Sequence, residues 1–443
     1  MKHLFIIASL FLASFTQVVA QGINFEHGTL DEAIAKAKAE NKIVFIDGWA
    51  VWCGPCKHMA NTVFMDEEVG KYFDENIIAI KIDVERGEGP AVKRKYGITG
   101  LPGYVFLDGD GLVVYRFQAA MPTEKFMKQV KLAVSYAKDP NSVGRLAERY
   151  EAEKNNEEFV RMYIDKLAES KSTGYTDVLE HYLNMQTTIE ESSKEMVMLL
   201  SNSYEEIIFN GKADEIFQRN NGSDAWKLYV RKDVRENFQK LPKSMLEKTT
   251  DYATTHKDTT ILEMAFARGL EDGLITGGEK QRSMAYAYYY LATENGARFK
   301  AMVHNDYEAV VASVDKEKML EGYRKNKKLR AEGDLNALAT QPFAVRTSLQ
   351  VSSLVENYAK FVETEQEKSD VIRWMEVAYY IQPDVPSIMS RYAAVLYQFS
   401  NRKEEAIAIQ KEALQIAQND KDKRSAEYEY QLNAMKNGEK MEF

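Results

Sequence analysis

Two textures of apolar spacing divide the chain. From residue 21 to about residue 138, short apolar runs alternate with stretches of helical period. Brief runs rich in β-branched and aromatic residues, bounded by turn residues, read as strands. The segments "IVFIDGWA" (43–50), "IIAIKID" (77–83), "GYVFLD" (103–108) and "LVVYRFQ" (112–118) fit that pattern, with "DGDG" (108–111) as the tight turn between the last two. Thr29 and Glu32 form a capping box that opens a helix through "LDEAIAKAKAENK". A further helix is predicted through "TEKFMKQVKLAVSYA" (123–137). Strands alternating with helices and closed by a hairpin predict an α/β domain over 21–138 with a mixed sheet flanked by helices.

Past "KDPN" (138–141) strand-like runs almost vanish and helical period takes over, so 139–443 reads as an α-helical, repeat-like array. "VGRLAERYEAEKNNEEFVRMYIDKLAE" (143–169) has the look of a helix–turn–helix. Within 350–420, Ala359, Val362, Val371 and Ala378 reappear as Ala394, Tyr397, Ala406 and Ala413, each 35 residues on, and Pro383 ends the first unit. Small residues at such positions let paired helices approach closely. The pattern resembles the tetratricopeptide repeat, one residue longer than its usual period.

Composition changes this picture little. The chain is 45% apolar and 28% charged, as ordinary globular proteins are. A formal charge of -9 argues against nucleic acid as the main partner, because phosphate binding needs a basic surface. Residues 1–20 stand apart. Lys2 and His3 precede the apolar run "LFIIASLFLASF", and Val18 and Ala20 supply small residues for cleavage before Gln21, the layout of a signal peptide. Export follows, to the periplasm if the source is a Gram-negative bacterium and otherwise to the exterior, with no membrane insertion after cleavage. Three features of the array read as ordinary: the glycines of "GLEDGLITGGEK" (269–280) as a turn, "RKNKKLR" (324–330) as a solvated helix face, and "MAYAYYYLA" (284–292) as a packed helix.

Both cysteines lie in "DGWAVWCGPCKHM" (47–59). Zinc would need about four ligands, usually two such pairs. Covalent haem would need histidine directly after the second cysteine, where Lys57 stands. A structural disulfide over so short a loop would gain little chain entropy. A redox pair fits better, with no metal or nucleotide cofactor expected. Cys53 follows a strand and precedes a helix beginning around Pro55, so unpaired N–H groups and the helix dipole would lower its pKa and make it the nucleophile. Cys56, one turn on and more buried, would resolve the mixed disulfide. Asp47 shares a strand face with Ile43 and Phe45. Burial there would raise its pKa toward exchange with Cys56, against the alternative of a solvated aspartate at a frayed strand end.

Asp47, Trp49, Ala50 and "WCGPCK" (52–57) resemble the active-site strand and loop of thioredoxin, and "KYGITGLPGYVFLD" (95–108) resembles the later segment of that family. The resemblance covers about residues 25–137. It implies a thioredoxin-like fold, a redox-active Cys53–Cys56 disulfide, and Pro102 as a cis-proline facing the cysteines. Trp52, Gly54, Pro55 and Leu101 would form the surface that meets a client. Three departures stand out. Asn61 replaces a kinking proline, which predicts a straighter helix. Ala79 replaces the lysine beside the buried aspartate, with Lys81 two residues on as a partial substitute, and Gly103 replaces a common threonine, loosening client contacts. Residues 63–89 resemble exported members of the family more than the cytosolic protein. The implied function is thiol–disulfide exchange with protein clients that carry thiols or disulfides, in the reducing direction, served by a thiol electron donor or acceptor. The alternative is a helical-repeat binding, scaffold or chaperone-like protein with an auxiliary redox head, since helical arrays present extended binding surfaces.

Overall fold

The computed structural model describes residues 22–443 except 51, 52, 340, 341, 421, 423 and 442. The expected signal peptide and Trp52 lie outside the described residues. The chain divides into two compact units, the first ending at Val178 and the second spanning Leu179–Phe443.

The first unit is built on a five-stranded sheet. Its strands are β1 (Phe25–Glu26), β2 (Ile43–Trp49), β3 (Ile77–Asp83), β4 (Gly103–Leu107) and β5 (Val113–Gln118), in the order β1-β3-β2-β4-β5. β1 and β2 run parallel to β3, while β4 runs antiparallel to β2 and β5. Helices α1 (Leu30–Glu40), α2 (Gly54–Asn61), α3 (Glu67–Asn76), α4 (Gly89–Tyr96) and α5 (Thr123–Tyr136) connect and follow the strands. The four predicted strands and the helices at 30 and 123 all form, and the Thr29–Glu32 capping box is present. β1 escaped the pattern because two residues are too few to show alternation.

β2 lies in the middle of the sheet and is apolar nearly throughout because both its faces are covered. Successive side chains point to opposite faces. Phe45 joins Phe64, Phe73, Tyr104, Phe106 and Phe126 on one side, while Val44 and Ile46 join Leu30, Ala37, Val92 and Tyr96 on the other. Asp47 therefore continues the Phe45 face, as its spacing predicted.

The first unit runs beyond the change of texture at 138. Helices α6 (Val143–Glu153) and α7 (Glu157–Ser170) form the expected helix–turn–helix and pack against β5, the outer strand of the sheet. Gly144 makes this approach possible: a Cβ there would lie 2.7 Å from both the Leu112 Cβ and the Val113 carbonyl oxygen. Arg145 pairs with Asp108 at 2.9 Å and with Asp110 in the β4–β5 turn.

In the second unit the described residues form helices only, packed largely in consecutive pairs. The run Phe343–Ala359, Glu365–Ile381, Pro386–Phe399 and Lys403–Asn419 buries Ala359, Val371, Ala378, Ala394, Tyr397, Ala406 and Ala413, seven of the eight positions that repeat in the sequence. Val362 is half-buried. The basic run lies on Lys316–Ala331, which buries none of its residues. The aromatic run forms the packed helix expected: on Gly278–Ala292 Tyr289 is buried, Tyr286 and Tyr290 pack beside it, and Tyr288 alone of the four tyrosines is exposed, at 64%. Tyr286, Tyr289 and Tyr290 stand at i, i+3 and i+4 and so share one face of the helix, which leaves Tyr288 on the other side. No helix among the described residues is long and apolar enough to cross a membrane.

Candidate active site

Cys53 occupies the N-cap of α2, in extended conformation, with Gly54 and Pro55 opening the helix. Its sulfur accepts the Cys56 backbone N–H at 3.2 Å, and the two cysteines are joined as a disulfide. A helix N-terminus leaves several N–H groups without intrahelical partners, and here one of them is directed at sulfur. Both cysteines are buried, Cys53 at 1% and Cys56 at 5% exposure, so the expected contrast in burial is absent in the disulfide form. They cluster with Ala50, and Trp49 and Leu101 pack against the group. Gly54 and Pro55 are exposed at the rim.

α2 does not run straight on in the absence of a proline. It stops at Asn61, Thr62 leaves the helical region, and a short 3-10 turn follows at Val63–Met65. The Thr62 hydroxyl donates to the His58 carbonyl at 2.7 Å. Such side-chain bonding, beside a second β-branched residue at Val63, disfavours further helix.

Asp47 is 2% exposed, on the strand leading into this loop. Its register partners are Lys81 on β3 and Tyr104 on β4. The Lys81 ammonium lies 3.8 Å from Oδ2 and over the Phe25 ring at 4.7 Å, while Oδ1 has no hydrogen-bond partner among the described residues. Burial pushes the Asp47 carboxyl from its usual 3.8 up to about 7, with Lys81 pulling in the opposite direction. Lys81 thus supplies the cation that Ala79 cannot, but desolvation dominates. Burial, and secondarily Asp47, pushes the Tyr104 phenol up as well, and its hydroxyl too has no hydrogen-bond partner among the described residues. Strand alternation puts Tyr104 on the same face of β4 as Phe106, and the β2–β4 register, which the sequence does not show, sets it beside Asp47.

The loop after α4 brings Leu101 to the cysteines, and the Leu101–Pro102 peptide bond is cis. The Ala119 N–H donates to the Pro102 carbonyl at 3.0 Å, and Ala119 itself holds φ 81° at an exposed position. Gly103 has a packing reason: a Cβ there would lie 2.5 Å from Ile98 Cγ2 and 2.7 Å from the Gly100 carbonyl oxygen. Threonine at this position would displace the loop rather than add a client contact.

A family profile described as a thioredoxin-like domain matches residues 30–133. Thioredoxin 1 of Chlorobaculum tepidum is 30% identical over 106 residues, covering 96% of that protein and 24% of this chain. The chain belongs to the thioredoxin family. Thioredoxin Y of rice chloroplasts is 30% identical over 110 residues, but the chain spans only 60% of that protein's length. The solution structure of a candidate disulphide-isomerase from Bacteroides thetaiotaomicron is 39% identical and covers 26% of this chain and 95% of that one, with a TM-score of 0.25. All of these matches leave most of the helical region uncovered. What the thioredoxin-like domain provides is an oxidoreductase scaffold with a redox cysteine pair.

One other cluster among the described residues has metal-ligand chemistry: His304, Glu308 and Asp370 in the helical unit. Arg373 donates to both Glu308 and Asp370, and the Trp374 indole donates to Glu308 at 2.9 Å. The His304 ring meets the Tyr358 hydroxyl at 3.0 Å. A guanidinium already balances these carboxylates.

Proposed function

We propose that the protein is an exported thiol–disulfide oxidoreductase that reduces disulfides in protein clients. The observation that carries this reading is Cys53 at the N-cap of α2 with the Cys56 N–H directed at its sulfur. In the dithiol form the same donor and helix terminus stabilise a thiolate and hold its pKa below that of a free thiol. The Cys53 thiolate attacks one sulfur of a client disulfide, and the other leaves as a thiolate and takes up a proton. Cys56 loses its proton to Asp47, directly or through one water, and attacks Cys53 Sγ. The client sulfur bonded to Cys53 departs as a thiolate and takes up the proton from Asp47, directly or through water, and the Cys53–Cys56 disulfide closes. Two electrons have passed to the client, and a thiol donor restores the pair. A carboxyl titrating near neutrality is suited to this transfer.

Leu101, set against the cysteine cluster in the loop just before β4, would offer its backbone to a client that pairs as an added strand, with Pro102 behind it and Trp52, Gly54 and Pro55 expected to complete the contact surface. The Gly–Pro dipeptide between the cysteines supports the reducing direction, and residues 1–20 support export.

Insulin reduction driven by dithiothreitol tests the reading. The full chain should accelerate precipitation of the insulin B chain, and Cys53→Ser should return the rate to that of dithiothreitol alone. An inactive wild-type protein would sink the proposal. Export is checked by the mature N-terminus, expected at Gln21. The buried small residues that recur every 35 positions support a second role, in which tetratricopeptide-like helices recruit clients. Client capture by a Cys53→Ser, Cys56→Ser double variant would favour it.

A further inference from the structure

Arg116 stands on β5, the outer strand, and its guanidinium bonds main-chain carbonyls in two different places. Nη1 donates to Tyr96 at 2.9 Å and to Gly97 at 3.1 Å, the last residue of α4 and its C-cap. Nε and Nη2 donate to the Lys171 carbonyl at 3.2 and 2.7 Å, the C-cap of α7. Carbonyls at helix C-termini lack intrahelical partners and carry the negative end of the helix dipole, so a cation forked between two such ends is well placed. Gly97 is shaped for this contact twice over. Its φ of 61° closes α4, and a Cβ on it would lie 2.4 Å from Arg116 Nη1.

The segment that leaves Gly97 is the short loop Ile98–Thr99–Gly100–Leu101–Pro102, whose far end packs on the cysteines. A cavity of about 390 Å³ adjoins it, lined among others by Thr99, Gly100, Arg116, Gln118, Met121 and Lys171. One wall of this cavity is therefore the client-contact loop, another is the end of α7, and Arg116 holds the two together.

We propose that Arg116 is a positioning residue for client binding: by anchoring the start of the 98–102 loop to the end of α7, it makes the first helical hairpin a working part of the redox site. This inference rests on the reading that clients pair along Leu101. The chemistry of Cys53 and Cys56 is expected to lie outside its reach, because these bonds of Arg116 go to the main-chain carbonyls of Tyr96, Gly97 and Lys171. Its loss should weaken recognition of a protein substrate and leave attack on a small disulfide unchanged.

The test uses the full chain and the variants Arg116→Met and Arg116→Lys. Each is assayed for insulin reduction and for reaction with the small aromatic disulfide 5,5′-dithiobis(2-nitrobenzoate). Loss of charge-assisted bonds to three carbonyls should raise the KM for insulin about tenfold in Arg116→Met, with kcat and the small-disulfide rate within about twofold. Arg116→Lys, which keeps the charge but not the fork, should fall between. An unchanged KM overturns the proposal. If both reactions fall together in Arg116→Met, hydrogen exchange in Arg116→Lys decides. Faster exchange confined to the amides of Ile98, Thr99, Gly100 and Leu101 supports it, and unchanged exchange there overturns it. A wild-type protein that reacts with neither disulfide would instead fail the redox reading itself.

Discussion

Asp47 is enclosed by strand and aromatic side chains, so each proton it binds is registered in folding stability. Folded, its carboxyl titrates near 7, and unfolded near 3.8, so the folded state holds the proton more tightly. Folding then disfavours the carboxylate: the penalty is absent below about pH 4, grows through the interval, and is complete above about pH 7. Asp47→Asn removes the charge and leaves the shape. Its stability relative to wild type should rise between pH 4 and pH 8 by roughly 3–4 kcal/mol, read from urea midpoints at the two pH values. A difference that stays flat would mean that the carboxyl is not raised. At this scale the site was largely legible. Cys53, Cys56, Asp47 and Pro102 were marked by residue type and order in two short segments. Ala119 and Arg116 were not, because the interest of one lies in a backbone angle and that of the other in a carbonyl 55 residues away. Neither leaves a trace in local sequence.

Secondary elements were read well where a local signal fixed them. Capping, as at Thr29 and Glu32, and the apolar runs of β2 to β5 are properties of neighbouring residues. The end of α2 depends instead on how Thr62 bonds back to His58, and an argument from the missing proline alone misjudged it. Gly144 shows the same limit. In the first turn of an exposed helix, replacing glycine by alanine stabilises by up to about 1 kcal/mol. In α6 the added methyl would meet Leu112 and the Val113 carbonyl at 2.7 Å. Gly144→Ala should therefore reverse that sign and destabilise the protein by about 1–3 kcal/mol, the usual consequence of overpacking. Urea denaturation followed by circular dichroism would show it, and a stabilised variant would mean that α6 is not seated on β5 as described.

At the scale of the whole molecule, the change of sequence texture and the division of contacts fall in different places. Texture changes at 138 because α/β patterning ends there, whereas the first compact unit continues to Val178. Pattern reports what kind of element a segment forms; it is silent on which core that element joins. α6 and α7 are helices by pattern, yet they cover the β5 side of the sheet, where an unpaired strand edge is a hazard for association. A chain cut after residue 138 would lose the Arg145 pairs with Asp108 and Asp110, the Lys171 carbonyl bound by Arg116, and the buried Val143, Leu146, Val160, Ile164 and Leu167. A chain cut after residue 178 would keep them all. The longer fragment should melt at a temperature higher by at least about 10 °C, since a domain of about 150 residues shifts by about 2–4 °C per kcal/mol and each of several buried apolar side chains is worth about 2–5 kcal/mol. The shorter one should also associate at lower concentration in analytical ultracentrifugation. Coincident melting of the two fragments would place α6 and α7 outside the redox unit, and the boundary would return to the change of texture.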